Sequence, residues 1–263
     1  MKTLIIAEAG VNHNGDVALA KELVDAAVAA GADLVKFQTF TAETLVTRYS
    51  EKAGYQKSMS AVDESQFEMI KRLELTRDAH LELVDYCKSK GIQFLSTAFS
   101  RSSLDFLAEL DVPFYKIPSG ELTNLPYLRY VSQMGKPVAM STGMATLEEV
   151  GAAMDSLLEG GLEKEHLTIL HCSSQYPTPP QDVNLLAMCT IRNRLGVKVG
   201  YSDHTLGIEI PIAAVAMGAT IIEKHFTLSR ALPGPDHAAS LEPHELESMV
   251  DSIRIVERAL GDG

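Results

Sequence analysis

The stretch Val197-Lys-Val-Gly-Tyr-Ser-Asp-His204, followed by an apolar run to Met217 and then Ala219-Thr-Ile-Ile-Glu-Lys-His225, decides the fold. Each end is a short β-branched run that finishes in a histidine. The segment between them, Ile208 to Met217, has the Ala, Ile and Val richness of a buried helix. Strand, helix, strand is a crossover unit, and such a crossover makes its two strands parallel neighbours in one sheet. Both histidines then fall at the carboxyl ends of adjacent strands, where α/β sheets place their chemistry. Two imidazoles so placed can share one divalent metal and leave its other positions to substrate. The competing account is two unrelated histidines in the core or in loops.

Outward from that unit the same alternation continues. Strands are predicted near 4–9, 33–38, 92–97, 113–117, 137–142, 167–172, 197–200 and 220–225, with helices near 16–30, 78–90, 101–110, 125–134, 146–159, 184–194, 207–217 and 243–260. Eight strand–helix repeats without a break in composition predict an α/β fold, a (β/α)8 TIM barrel, as one domain over 1–263. Asp16 and Thr146 stand where helix N-caps belong, and Gly31, Gly91 and Gly218 where helices end. The one irregularity runs from Phe40 to Thr76, too long for an ordinary connection. On a barrel such an excursion lies over the active-site mouth.

Composition excludes several classes. With 263 residues, 46% of them hydrophobic, the chain can bury a large core, yet no apolar run is long enough to cross a bilayer. Met1-Lys2-Thr3 leads straight into Leu-Ile-Ile-Ala, which predicts no signal peptide. Cys87, Cys172 and Cys189 are an odd number without metal spacing, so a reducing cytoplasm is expected. A net charge of −12 speaks against nucleic acid. It does not exclude an anionic substrate, because a few lysines in a cleft outweigh a diffuse negative surface locally.

The strand tips carry the functional signal. Strand 1 ends in Glu8. Strand 2 ends Lys36-Phe-Gln38, and period two puts Lys36 and Gln38 on one face. Strand 3 ends Ser96-Thr97, strand 4 gives Lys116-Ile-Pro-Ser119-Gly-Glu121, and strand 5 gives Ser141-Thr-Gly143. Strand 6 gives Cys172-Ser-Ser174-Gln-Tyr176, and strands 7 and 8 bring Ser202, Asp203, His204, Glu223 and His225. A core lysine is expensive unless it is paired or faces a water-filled site, and two of the strands carry one. Taken singly, each has a plain account: Lys36 or Lys116 paired with Glu8 or Glu121, the serines as helix caps, Tyr176-Pro177 as a turn. Together, two lysines and several hydroxyls on one face make a cradle for phosphate or carboxylate. Beside it stand metal-type histidines and a carboxylate suited to proton transfer. The lysines are expected to serve affinity rather than stability, so that Lys116→Met weakens anion binding and leaves melting unchanged or slightly raised.

These residues form a pattern that resembles the catalytic barrel of the sialic acid synthases, the family that includes N-acetylneuraminate, legionaminate and pseudaminate synthases. The matching stretches are Ala7-Glu-Ala-Gly-Val-Asn-His-Asn-Gly15, Val35-Lys-Phe-Gln-Thr-Phe40, Lys116-Ile-Pro-Ser-Gly-Glu121, Ser141-Thr-Gly-Met144, His171 to Pro179, Gly200-Tyr-Ser-Asp-His204, Glu223-Lys-His-Phe-Thr-Leu228 and Gly234-Pro-Asp236. Lys52-Ala-Gly-Tyr-Gln56 and Glu64-Ser-Gln-Phe-Glu-Met69 look most like the bacterial N-acetylneuraminate and legionaminate branches.

The resemblance implies condensation of phosphoenolpyruvate with an N-acylated amino sugar, N-acetylmannosamine or a related 6-deoxy sugar, with release of phosphate. It implies a divalent ion, typically Mn2+ with Mg2+ or Co2+ as alternatives, on His204 and His225. Lys36, Thr97, Lys116, Ser119, Ser141, Ser174 and Ser202 would grip phosphoenolpyruvate, and Gln38, Tyr176 and Asp236 would face the sugar. Glu121 would handle protons, with Glu8 and Glu223 orienting neighbours. A homodimer is expected. Some family members carry Asn where this chain has Ser174. Family members also continue into a small antifreeze-like domain that offers an arginine to a partner's sugar site, and this sequence ends where that domain would begin, in Leu-Gly-Asp-Gly263. Alternatives are a 3-deoxy-2-keto sugar acid phosphate synthase, which needs a second phosphate site that no arginine cluster supplies, and a metal-dependent hydrolase, which wants more ligands on strand 1. A non-catalytic anion-binding barrel is a third.

Overall fold

The computed structural model describes residues 2–52 and 64–261. Eight parallel strands close on themselves in sequence order: β1 (Leu4–Gly10), β2 (Leu34–Thr39), β3 (Gln93–Ala98), β4 (Tyr115–Ile117), β5 (Val138–Ser141), β6 (Leu167–Cys172), β7 (Lys198–Asp203) and β8 (Ile221–His225). A helix follows each strand around the outside: α1 (Val17–Ala29), α2 (Arg77–Lys90), α3 (Arg101–Glu109), α4 (Leu125–Ser132), α5 (Leu147–Glu159), α6 (Leu186–Leu195), α7 (Glu209–Ala216) and α8 (Pro243–Leu260). The barrel expectation therefore holds, with boundaries within a few residues of those read from periodicity.

Local chemistry sets the helix ends. Asp16 accepts from the Ala18 amide, and Thr146 accepts from the Glu149 amide while Glu149 answers back to the Thr146 amide. These caps satisfy amides that the first helical turn leaves without partners. Gly91 closes α2 in the left-handed conformation that costs a side-chain-bearing residue most.

The described part of the excursion after β2 forms two short helices, Ala42–Leu45 and Gln66–Arg72. Their apolar faces bury Ala42, Met69, Ile70 and Leu73 together with Val11 and Phe40, a small core of its own above the barrel mouth. Residues 53–56, part of the stretch that resembles the bacterial branches, lie outside the described residues. No helix among the described residues is long and apolar enough to cross a membrane.

The floor of the barrel is tied by one carboxylate. Asp33, just ahead of β2, accepts from the Ile5 amide on β1 at 2.9 Å, from Arg254 of α8 at 2.6 Å and from Lys2 at 2.5 Å. Burial works against the charge of Asp33, and the Lys2, Ile5 and Arg254 donors outweigh it, holding its carboxyl below the ordinary value. Stabilisation from this group is present above the unfolded carboxyl pKa of about 3.9 and is lost as pH falls through the lower folded value. Asp33→Asn is expected to cost about 1–3 kcal/mol, since it weakens charge-assisted hydrogen bonds to Arg254 and the Ile5 amide. That predicts a thermal midpoint lower by several degrees in calorimetry, with the difference from the parent shrinking in acid.

Candidate active site

At the carboxyl ends of the strands a cavity of about 300 Å3 opens between the barrel core and the two short helices. Its polar floor is built from alternate residues of neighbouring strands, because the pleat sends every second side chain inward. Glu8 on β1 pairs in register with Lys36 on β2 and with His225 on β8. Thr97 on β3 pairs with Lys116 on β4, and Ser202 on β7 with Glu223 on β8.

The charges interlock. Lys36 Nζ donates to Glu8 Oε1 at 2.6 Å and Thr97 Oγ1 at 2.9 Å, and lies 3.4 Å from Glu223 Oε2. Lys116 Nζ donates to Ser141 Oγ at 2.8 Å and lies 3.4 Å from Glu223 Oε1, which also accepts from Ser202 at 2.8 Å. Glu223 thus stands between both lysines, and Glu8 between Lys36 and His225, whose Nε2 is 3.3 Å from Glu8 Oε2. All four charged side chains are buried. Burial opposes the charge on Glu8, but His225, Lys36 and Lys116 prevail and hold its carboxyl well below the usual carboxylate range. Burial likewise opposes the charge on Lys36, and Glu223 and Glu8 prevail there, raising its pKa. The cluster is a balanced set of two cations and two anions.

Beside it stand the two imidazoles. His204 Nδ1 donates to the Ser173 carbonyl, which turns the lone pair of Nε2 toward the cavity. Burial, then His225, pushes the His204 pKa down to about 3, so the ring is neutral at ordinary pH. The Tyr176 hydroxyl lies 2.5 Å from His204 Nε2 and 3.0 Å from His225 Nε2, so both nitrogens face one point. Among the described residues no three His, Cys, Asp or Glu side chains converge as a metal cage. The donor set is two imidazole Nε2 atoms directed at a common position, which fits a divalent ion that takes its remaining ligands from water or substrate. A carbonyl fixing the tautomer of one ring is the usual support for such a ligand. His225 lies against the backbone of β1, where a Cβ at Gly10 would come within 3.1 Å of its ring. Gly10 also has φ of +54°, so a side chain there meets strain and crowding together.

Most of the residues singled out from sequence meet here. Glu8, Lys36, Gln38, Thr97, Lys116, Ser119, Ser141, Ser174, Tyr176, Ser202, His204 and Asp236 all line the cavity, and His225 sits behind Tyr176. Ser119 accepts from the Gly143 amide at 2.9 Å, which joins the β4 and β5 tips. Burial pushes the Asp236 carboxyl upward; His225 opposes this and Glu8 adds to it. Glu121 is different. It ends the short turn Ser119–Glu121 and does not line the cavity; its Oε2 accepts from the Asn124 side chain at 2.6 Å. A carboxylate two residues past Ser119 has left the strand, so the inward alternation no longer carries it. Of the lysine pairings named from sequence, Lys36 with Glu8 holds, while both lysines also meet Glu223 and among the described residues no ion pair joins Lys116 to Glu121.

Sequence reasoning missed the other wall. Val11, Phe40, Leu45, Met69, Ile70, Leu73 and Phe99 line the side opposite the charges. The aromatic and aliphatic run around Phe40, and Phe67 to Leu73, held that signal as a second apolar cluster off the barrel.

Residues 23–263 match the family model described as NeuB. The chain belongs to the NeuB family. It is 51% identical over 262 residues to the N,N'-diacetyllegionaminic acid synthase of Campylobacter jejuni, covering 100% of this chain and 78% of that protein. It is 52% identical over 265 residues to the enzyme of the same name from Legionella pneumophila, covering 100% of this chain and 74% of the other. The crystal structure of an N-acetylneuraminic acid (sialic acid) synthetase from Leptospira borgpetersenii superposes with a TM-score of 0.88 at 35% identity, over 100% of this chain and 86% of that one. The resemblance read from the strand tips therefore holds at the level of family.

Proposed function

We propose that this chain joins phosphoenolpyruvate to an N-acylated amino sugar, forming a nonulosonate and inorganic phosphate. The observation that carries this reading is the floor of the cavity: a buried Lys36–Glu8–Glu223–Lys116 network ringed by hydroxyls, abutting two imidazoles whose Nε2 atoms face one point. A trianionic enol phosphate fits a mouth that has two ammonium groups and the hydroxyls of Thr97, Ser119, Ser141, Ser174 and Ser202. Lys116 is the more available cation, since only the Ser141 contact is short.

The sugar then lies toward Gln38, Tyr176 and Asp236. His204 and His225 would hold a divalent ion, which we take to be Mn2+, and it would supply Lewis acidity toward the sugar's aldehyde. Carbon 3 of the enol phosphate bonds to the aldehyde carbon as its C=O π bond opens and the oxygen takes a proton, water adds at carbon 2, and collapse of that adduct breaks the C–O bond to phosphate, the carbon 2 hydroxyl proton leaving with the phosphate, to give a ketone. Lys36 and Lys116 hold the phosphate through these steps, so its charge is met before and after the bond breaks. Water adding at carbon 2 gives up a proton; Glu8, Glu223 and Asp236 are the carboxyl groups that line the cavity, and Glu121 can take that role only by leaving Asn124.

The apolar wall favours a sugar that is deoxygenated at carbon 6 and carries more than one acyl group, in line with the names of the two bacterial relatives. A second phosphate would meet Phe40, Met69, Ile70 and Phe99 instead of cations. The same reading takes residues 1–263 as one barrel domain acting as a homodimer in the cytoplasm. The test is phosphate release with Mn2+, phosphoenolpyruvate and three sugars: N-acetylmannosamine, its 6-phosphate, and a 6-deoxy diacetamido hexose. Release that requires an unphosphorylated sugar is expected, highest with the deoxy sugar. Release only with the 6-phosphate, or with no sugar at all, overturns the reading.

A further inference from the structure

The ladder between β7 and β8 pairs Tyr201 with Ile222, Ser202 with Glu223 and Asp203 with Lys224, and ends there. The next residue on each strand is a histidine, so no further rung of the sheet sets the distance between the two rings. Something else holds them. On the face of the strands away from the cavity, Lys224 Nζ donates to Asp203 Oδ2 at 2.6 Å and to the carbonyl of Thr205. Asp203 accepts from the Thr205 amide at 2.9 Å and from its hydroxyl at 3.1 Å. Both residues flanking His204 are therefore fastened to the residue that precedes His225.

This pair is buried, with 1% of Asp203 and 1% of Lys224 exposed, and Thr205 is wholly covered. Desolvation offsets most of what such a pair gains by attraction, so the charges themselves add little to stability. Its geometric effect is specific. One ammonium group bridges two strands at the last rung and also reaches past the histidine of the neighbouring strand.

We propose that Asp203 and Lys224 are positioning residues that set the spacing of His204 and His225 for a shared divalent ion. The proposal rests on the two-histidine metal reading above. With the pair intact, the β7 tip cannot slide or splay relative to β8, and the two Nε2 atoms stay directed at one point. Without it, His204 keeps its bonds to Ser173 and Thr178 and His225 its pairing with Glu8 on β1, but no ion pair ties the β7 tip to the β8 tip. Outer groups that orient metal ligands are typically worth about 10–100-fold in metal affinity.

The experiment titrates Mn2+ alone into the full chain, following free ion by electron paramagnetic resonance, with melting and phosphoenolpyruvate affinity measured in parallel. Four proteins are compared: the parent, His225→Ala, the double variant Asp203→Leu/Lys224→Met, and Asp203→Glu. The double variant removes both charges together, and Asp203→Glu keeps the ion pair while moving the carboxylate off the Thr205 amide. Expected is a double variant that folds, with a melting point lowered by the partners that the buried Thr205 amide, hydroxyl and carbonyl lose, and with phosphoenolpyruvate affinity within about threefold, a change under 1 kcal/mol. Its Mn2+ affinity falls about 10–100-fold, and Asp203→Glu shows a smaller fall of the same sign. Mn2+ affinity that is lost in His225→Ala but unchanged in both pair variants overturns the positioning role and leaves the metal reading standing. Affinity unchanged in His225→Ala overturns the metal reading itself. If neither pair variant folds, the pair belongs to stability and the proposal fails.

Discussion

Replacing His225 with Ala is expected to abolish Mn2+ binding and synthase activity while the barrel stays folded. The ring supplies one of two nitrogen donors that face a single point beside Tyr176, and a site with two protein donors has none to spare. Loss of one should exceed the roughly 10–100-fold penalty of losing only an orienting partner. The fold has little reason to fail, because the core of the barrel is formed by Ile5, Ile6, Leu34, Leu95, Ile169, Val199, Ile222 and their neighbours. The ring's Nδ1 has no hydrogen-bond partner, so truncation strands no donor there. Calorimetric titration of Mn2+ and circular dichroism on the same sample check both halves. Full Mn2+ affinity in His225→Ala would mean that the ion, if bound, sits elsewhere.

The second large effect separates the two lysines, which composition and spacing had grouped together. Lys36→Met removes the cation that Glu8 and Glu223 share, leaving Glu8 with His225 but no lysine and Glu223 with the Ser202 hydroxyl and Lys116 at 3.4 Å. Breaking a buried pair by deleting one partner typically costs about 3–5 kcal/mol. For a domain of this size that is a drop of roughly 6–20 °C in thermal midpoint. Lys116→Met leaves Glu223 with Lys36 and the Ser202 hydroxyl, so its midpoint should move far less. Both variants should bind phosphoenolpyruvate about tenfold more weakly or worse, since one charge-assisted hydrogen bond is worth about 1.5–3 kcal/mol. Equal midpoints for the two variants would mean that Glu8 and Glu223 take up protons and adapt, and that the network is not structural. Little change in melting is thus the expected result for Lys116→Met, and a large drop the expected result for Lys36→Met.

How far the site was legible follows from what kind of information each feature needs. The barrel itself was legible, because a strand declares its span through β-branched runs and a helix through its caps, all within a dozen residues. Asp16 and Thr146 cap their helices as spacing alone suggests. The inward direction of Glu8, Lys36, Gln38, Ser202 and Glu223 was equally legible, since alternation along a strand is local geometry. Glu121 shows where that rule stops: Pro118 ends the extended run, and the turn after it carries the carboxylate toward Asn124.

Sequence by itself thus determined the eightfold alternation, the polar strand tips and the presence of two histidines at the ends of neighbouring strands. Only the tertiary structure decided who meets whom. Glu8 lies between Lys36 and His225 because closure of the barrel brings β1 against β8, the far end of the chain. Glu223 serves both lysines because it faces the barrel axis, where side chains from non-adjacent strands converge. The apolar wall is present because the excursion after β2 folds its own small core over the mouth. Period and propensity act between near neighbours in sequence, whereas the partners of a buried charge are chosen by strand register and closure, which depend on every strand at once.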